Sequence, residues 1–334
     1  GLGYSHTSGM PALRTALAHH LGEARGVRAG PEQIIITSSA QAAIDLVMRV
    51  VVDARDTVWL EEPGYLGARA GALGVDAAIV PVPVDAHGMA PDSVACAGPV
   101  KLIYVTPSHQ FPTGRLMPLS RRRQLLEIAG DRGALILEDD YDSEFQFEER
   151  QVAALQGLDE DDRVAYVGSF AKSMLPGIRV GYVVAPPWLA ETLAHVQRNT
   201  GGLAAAQVQI GLAEFIDQGH FRAHVRRMRK LYHTRRDALV DAPHSALGKH
   251  AQIEVPRGGK QLLLMLPAGT NDRAIARRPN QAGVAVQPPS RFYLSPMGKP
   301  GLQMGFAACD TGPMVGLAGQ IKQQIECRNA LDRG

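Results

Sequence analysis

From residue 33 onward, short runs of β-branched and aliphatic residues alternate with longer stretches in which apolar positions recur every three or four residues. The short runs are IIIT (34 to 37), TVWL (57 to 60), AAIVPV (77 to 82), KLIYVT (101 to 106), ALIL (134 to 137), VAYVG (164 to 168) and VGYVV (180 to 184). Apolar runs without polar alternation predict strands covered on both faces, the situation of a mainly parallel sheet between helical layers. The spacing within Gln41 to Val51 and Leu119 to Gly130 predicts helices between them. Together these elements predict a three-layer α/β domain around a mainly parallel, seven-stranded sheet.

After Pro187 the pattern turns helical. In FRAHVRRMRKLYHTRRDAL, Phe221, Val225, Met228, Leu231 and Leu239 recur at helical spacing, and basic residues fill the remaining face. The simplest reading is a long amphipathic helix with a solvated basic face, contact with nucleic acid being the alternative. From about Pro243 a smaller α+β unit follows, with strands at IEV (253 to 255), QLLLML (261 to 266) and VAV (284 to 286) and a closing helix after Thr311. The expected organisation is a large domain over residues 1–242 and a small C-terminal domain over 243–334, with no internal repeat, low-complexity tract or flexible linker.

The length of 334 residues agrees with about two domains, and 45% apolar with 20% charged residues is ordinary globular usage that excludes disorder and fibrous repeats. With 35 basic and 33 acidic side chains, the net charge of +2 provides no whole-molecule field for nucleic acid or a membrane surface. No window is apolar enough to span a bilayer, and GLGYSHTSGM lacks the charged and apolar regions of an export signal. Cys96, Cys309 and Cys327 are an odd number without a CxxC or Cys/His ligand spacing, which disfavours a disulfide framework and a structural zinc site and makes a reducing cytoplasm the expected setting. Gly1 is a poor natural start, so the chain is expected to be cut from something longer.

Several motif classes are missing: there is no GxSxG elbow, no Gx4GK[ST] phosphate loop and no GxGxxG after a strand. The acidic run EDDYDSE (138 to 144) lacks the glycine and distal glutamate of a calcium loop, so no metal is expected there. The informative stretch is GSFAKSMLPGIRVGY (168 to 182), which places Lys172 just after a buried strand, at the carboxyl edge where open α/β sheets bind ligands. Asp139 ends another buried strand, and Tyr141 follows two residues later. An amine, a strand-end carboxylate and a phenol are what pyridoxal phosphate chemistry uses: a Schiff base, a partner that keeps the pyridine nitrogen protonated, and a group beside the ring oxygen O3′.

GSFAKSMLPGIRVGY, VTPSHQFPTG (105 to 114), LEDDYDSEF (137 to 145), WLEEPGY (59 to 65) and IITSSAQAAIDL (35 to 46) together resemble the aminotransferase-like domain of MocR-type, GabR-like bacterial regulators. That domain is a fold-type-I pyridoxal-phosphate fold related to class I and II aminotransferases. The resemblance is ordered and covers nearly the whole chain. It implies pyridoxal 5′-phosphate as cofactor, Lys172 as the internal-aldimine lysine, Asp139 as the partner of the pyridine nitrogen and Tyr141 beside O3′. It further implies Tyr65 stacked on the ring, and Ser39, Ala40, Gln41, Ser169 and Arg179 around the phosphate, where a helix start supplies amides and dipole. As isolated residues, Tyr65 would be core packing and the Ser/Gln helix start a cap.

Tyr4, in YSHTSGMPALR, matches the family's Y-x4-G-x3-L-R pattern, in which the tyrosine reaches the phosphate of the neighbouring subunit. The resemblance therefore implies a homodimer with shared active sites. Two positions depart from the aminotransferase pattern. Phe111 stands where those enzymes have an asparagine touching O3′, and Gln303 in GLQMGF (301 to 306) stands where they have the arginine for the substrate carboxylate. Arg291 in PPSRFYL is the nearest replacement, with a surface arginine as the alternative.

Two functions use such a site. One is transamination, in which an amino acid or related amine forms an external aldimine and leaves its amino group on the cofactor. The other is sensing, in which binding is read by a winged-helix DNA-binding domain absent from this chain.

Overall fold

A computed structural model describes residues 6–94, 98–147, 152–247, 252–281, 286–295 and 298–307. Residue Tyr4 and the helix expected after Thr311 lie outside the described residues. Eight strands form the main sheet: β1 (Ile34–Thr37), β2 (Thr57–Glu62), β3 (Ala78–Asp85), β4 (Gly88–Met89), β5 (Leu102–Val105), β6 (Leu135–Asp139), β7 (Val164–Ser169) and β8 (Gly181–Val184). Their order is β1-β8-β7-β6-β5-β2-β3-β4. The central pairs are parallel, whereas β8 runs antiparallel to both β1 and β7, and β4 antiparallel to β3. The expected count of seven is thus corrected to eight. The additional strand has two residues, too short to leave an apolar run in the sequence.

Alternate residues of each strand feed different layers, as the pleat requires. Ile35, Leu102, Tyr104, Leu135 and Leu137 pack under α2 (Ala40–Val51), α3 (Leu66–Gly74) and α6 (Pro187–Thr200). On the opposite face, Ile34, Ile36 and Tyr166 meet α1 (Pro11–Arg25), α7 (Ala206–Asp217) and the start of α8 (His220–Leu247). Ile103 and Ile136 meet α4 (Leu119–Arg132) on that same face. The remaining short helix, α5 (Phe170–Ser173), follows β7 directly.

A second antiparallel sheet, in the order β11-β12-β10-β9, is built from β9 (Gln252–Glu254), β10 (Gln261–Met265), β11 (Val286–Gln287) and β12 (Gly301–Gly305). It is covered by α9 (Asp272–Gln281) and by the later turns of α8, where Tyr232, Leu239 and Val240 join Leu262, Leu264 and Phe306 in a separate core. The apolar stripe of α8 passes through buried Tyr232 instead of the expected Leu231, which is exposed, because a 3.6-residue period continued from Phe221 and Val225 arrives at 232. Since Phe221 and Val225 belong to the first core and Leu239 to the second, α8 serves both, and the expected boundary at residue 242 falls inside it. No described helix is long and apolar enough to cross a membrane.

Candidate active site

Strands β1, β2, β5, β6 and β7 all point their carboxyl ends to one edge of the sheet, and the loops leaving them enclose a cavity of about 500 Å³. Its walls include Lys172, Asp139, Tyr141, Tyr65, Ser169 and Arg179. Ser39, Ala40 and Gln41 complete the same wall. Nine of the eleven sequence-derived site residues therefore converge. Arg291 does not: it lies in the turn Pro289–Phe292, exposed, with Nη1 3.4 Å from Gln287 Oε1.

Asp139 closes β6 and is only 4% exposed. Its Oδ2 accepts a 2.6 Å hydrogen bond from the Tyr104 hydroxyl, while its buried Oδ1 has no partner among the described residues. Burial pushes this carboxyl up to about 7, against the lowering effect of the Tyr104 bond, and the neighbouring Asp140 and Asp142 charges push it further the same way. The Lys172 charge acts the other way, lowering it, but does not offset the burial of the ionised form.

Lys172 occupies α5, a single turn whose N-cap is Ser169; the Ser169 hydroxyl accepts from the Ala171 amide at 3.1 Å. The other end of the turn is held from elsewhere in the chain. Lys260 Nζ donates to the Lys172 carbonyl at 2.6 Å, and His224 Nε2 to the Ser173 carbonyl at 3.0 Å. Burial first, then the nearby Lys172 charge, lower the Lys260 ammonium to about 8. Arg179 sits in the left-handed region (φ 52°, ψ 46°), a conformation costly for a side chain bearing Cβ and typical of positions held for function.

The start of α2 forms the anion-facing wall. Ser39 Oγ accepts from the Ala42 amide and the Ser39 carbonyl from the Ala43 amide, whereas the amides of Ala40 and Gln41 have no partner among the described residues. Gly181 of β8 presses against this turn: a Cβ there would lie 2.3 Å from the Ser39 carbonyl carbon and 2.6 Å from the Ala40 nitrogen. Only glycine permits the approach.

Three further groups, Tyr104, Thr106 and Gln261, escaped the sequence reading. Tyr104 is hidden in the strand KLIYVT, where its polar tip was the only signal. Thr106 lines the cavity, donates from Oγ1 to Glu61 Oε2 at 2.5 Å and receives the Phe111 amide at 2.9 Å, thereby placing the Phe111 ring. That ring makes edge contacts with Tyr65, Tyr141 and Phe292 at 5.7, 6.2 and 4.9 Å between centroids. Gln261 of β10 reaches the cavity from the second sheet, and on β12 Gln303 is buried; neither Nε2 has a partner among the described residues.

A mainly parallel sheet that gathers a lysine, a strand-end carboxylate and a helix start at its carboxyl edge is the architecture of fold-type-I pyridoxal-phosphate proteins. The chain belongs to the aminotransferase class I and II family, whose model matches residues 2–319. It is 39% identical over 312 residues to the probable rhizopine catabolism regulatory protein MocR of Rhizobium meliloti, covering 93% of this chain and 63% of that protein. It is 31% identical over 317 residues to 2-aminoadipate transaminase of Thermus thermophilus, covering 92% and 78%. Kynurenine aminotransferase of Pyrococcus horikoshii superposes with a TM-score of 0.91 at 28% identity, covering 98% of this chain and 83% of that one. The chain spans 63% to 65% of the length of the regulators it matches first. Family membership implies pyridoxal 5′-phosphate, and the residues fit it: Asp139 Oδ1 is a buried acceptor without a donor among the described residues, and the amides of Ala40 and Gln41 at the start of α2 have no partner there either.

Proposed function

We propose that this chain binds pyridoxal 5′-phosphate covalently at Lys172 and exchanges the amino group of an amino acid or related amine. The observation that carries this reading is the meeting of Lys172, Tyr141 and the half-satisfied Asp139 in one cavity. Ser39, Ser169, Arg179 and the amides of Ala40 and Gln41 hold the phosphate, and Tyr65 covers the ring. Asp139 would keep a proton on the ring nitrogen, and a positive charge beside it would return a carboxyl held near 7 to its ionised form. Bound in this way, the cofactor supplies an electron sink for the ligand's α-carbon. The Lys172 amine, once free, takes the proton from that carbon and returns it. Tyr141 supports the ring oxygen. Arg291, exposed beside the Phe292 ring that abuts Phe111, is the proposed carboxylate contact if the small unit closes over the cavity.

A second reading has its own observation, the 39% identity to a regulatory protein of which this chain spans 63%. In that reading the same binding event is a signal passed to a DNA-binding domain outside this chain, with little turnover. Both readings propose a cytoplasmic homodimer with Tyr4 serving the neighbour's phosphate.

The experiment that tests the site is reduction of the pyridoxal-phosphate-loaded protein with borohydride and mapping of the labelled peptide. The label is expected on Lys172 and is expected to vanish in Lys172→Ala; a label retained at another lysine would refute the assignment. Release of keto product under multiple turnover then separates the enzyme from the sensor.

A further inference from the structure

The loop after β5 carries a histidine outside the cavity wall. His109 is 3% exposed, and its ring occupies a slot between two glycines. A Cβ on Gly259 (φ 80°) would lie 2.3 Å from its Cε1, and one on Gly114 (φ 75°) 3.0 Å from its Nε2. Two turns from different parts of the chain, both with left-handed backbone and neither with room for a side chain, are thus shaped around one imidazole. Its Nδ1 stands 3.0 Å from the Tyr141 hydroxyl oxygen and 3.2 Å from Asp142 Oδ2, and Asp142 is itself 2% exposed. Phe111, the other ring against Tyr141, offers no polar atom.

A lone pair aimed at a buried carboxylate would be repelled, so Nδ1 carries a proton in either ionisation state of the ring. That proton lies between Asp142 and Tyr141. The Tyr141 oxygen consequently accepts on the His109 side, and its own proton is free to point into the cavity. Burial, followed by the carboxylates Asp142, Asp139, Glu61 and Asp140, holds the Tyr141 hydroxyl well above the ordinary phenol range, so it keeps that proton at neutral pH. Lys260 faces Asp142 from the turn before β10.

We propose that Asp142 and His109 form a relay that fixes Tyr141 as a hydrogen-bond donor into the cavity. His109 is a positioning residue, because it acts only through Tyr141. The proposal rests on the reading that Tyr141 faces the ring oxygen of pyridoxal phosphate held at Lys172. A donor to that oxygen competes with the imine proton for the same lone pairs, so losing the donor raises the pH at which the bound cofactor changes colour.

The test is a spectroscopic pH titration of the pyridoxal-phosphate-loaded protein. His109→Phe preserves a ring in the slot but removes Nδ1, and its midpoint is expected about one unit higher, the size of shift that one charge-assisted hydrogen bond supports. His109→Asn, whose amide nitrogen can stand at the Nδ1 position, is expected to titrate like the wild type. Asp142→Asn, which leaves the slot intact, is expected to give a smaller upward shift and decides the matter should His109→Phe fail to fold. In a Tyr141→Phe background, His109→Phe should add nothing. An unmoved midpoint in both His109→Phe and Asp142→Asn, or an equal His109→Phe shift with Tyr141 already removed, overturns the relay. Absence of a Lys172-dependent visible band in the wild type would instead overturn the site reading on which the relay rests.

Discussion

Asp139 and Glu61, each almost fully buried, are pushed by burial to about 7 and about 8. Unfolded carboxyls titrate near ~4, so between that pH and about 7 the folded chain retains protons that the unfolded chain has lost, and stability falls as pH rises through the window. Without cofactor, Asp139→Asn is expected to flatten this decline and to melt at least as high as the wild type at mildly alkaline pH. In the proposed reading, pyridoxal phosphate should flatten the wild-type curve by bringing a pyridinium charge to Asp139 in addition to that of Lys172, which thermal melts across the pH range would show. The adjacent Asp140 behaves in the opposite way. Burial raises it, yet Arg25 and the hydrogen bonds from Tyr166 and Arg25 bring it below the ordinary range. Arg25 donates from Nε to Asp140 at 2.8 Å, from Nη2 to Ser108 at 2.7 Å and from Nη1 to the Val152 carbonyl at 3.2 Å. Removing one partner of such a pair strands the other, so Arg25→Met should cost about 3 to 5 kcal/mol in urea unfolding. Arg25→Met combined with Asp140→Asn should recover part of that loss.

At the scale of elements, legibility followed length and chemical contrast. Each of the seven apolar runs became a strand because burial on both faces leaves a run with no polar alternation, whereas β4, with two residues, leaves no such trace. Lys172 stood out because the stretch GSFAKS puts an amine directly after an apolar strand. Tyr104 and Glu61 lie within strands and read as part of them, and their roles depend on cross-strand neighbours that no local pattern encodes. His109 was equally silent, since its slot is made by glycines 5 and 150 residues away in the sequence. The α2 turn, by contrast, was read from its Ser and Gln, but its dependence on β8 was not. Gly181→Ala should displace that turn and weaken pyridoxal phosphate about tenfold or more. Pyridoxal without the phosphate should lose much less, and equal losses for both ligands would argue against the phosphate assignment.

At the scale of the whole molecule, the proposed dimer makes a prediction that one chain cannot satisfy alone. Tyr4→Phe should raise the dissociation constant for pyridoxal phosphate roughly 10- to 150-fold, the worth of a charge-assisted bond. Mixed dimers of Lys172→Ala and Tyr4→Phe chains should regain half of the sites at wild-type affinity, because both lesions fall in one site; a tyrosine serving its own subunit would leave no intact site. Within a chain, α8 has 28 residues, about 42 Å of rod, with one end embedded in each core. His224 from this rod and Lys260 from the turn before β10 grip successive carbonyls of the turn that bears Lys172. In the proposed reading the Lys172 amine would sit at the fulcrum of a lever: a swing of the small sheet would arrive at Lys172 as a tug on its own backbone, and bond-making there would be delivered outward as torque. Turnover and signalling then need no different machinery, only a different load on the far arm.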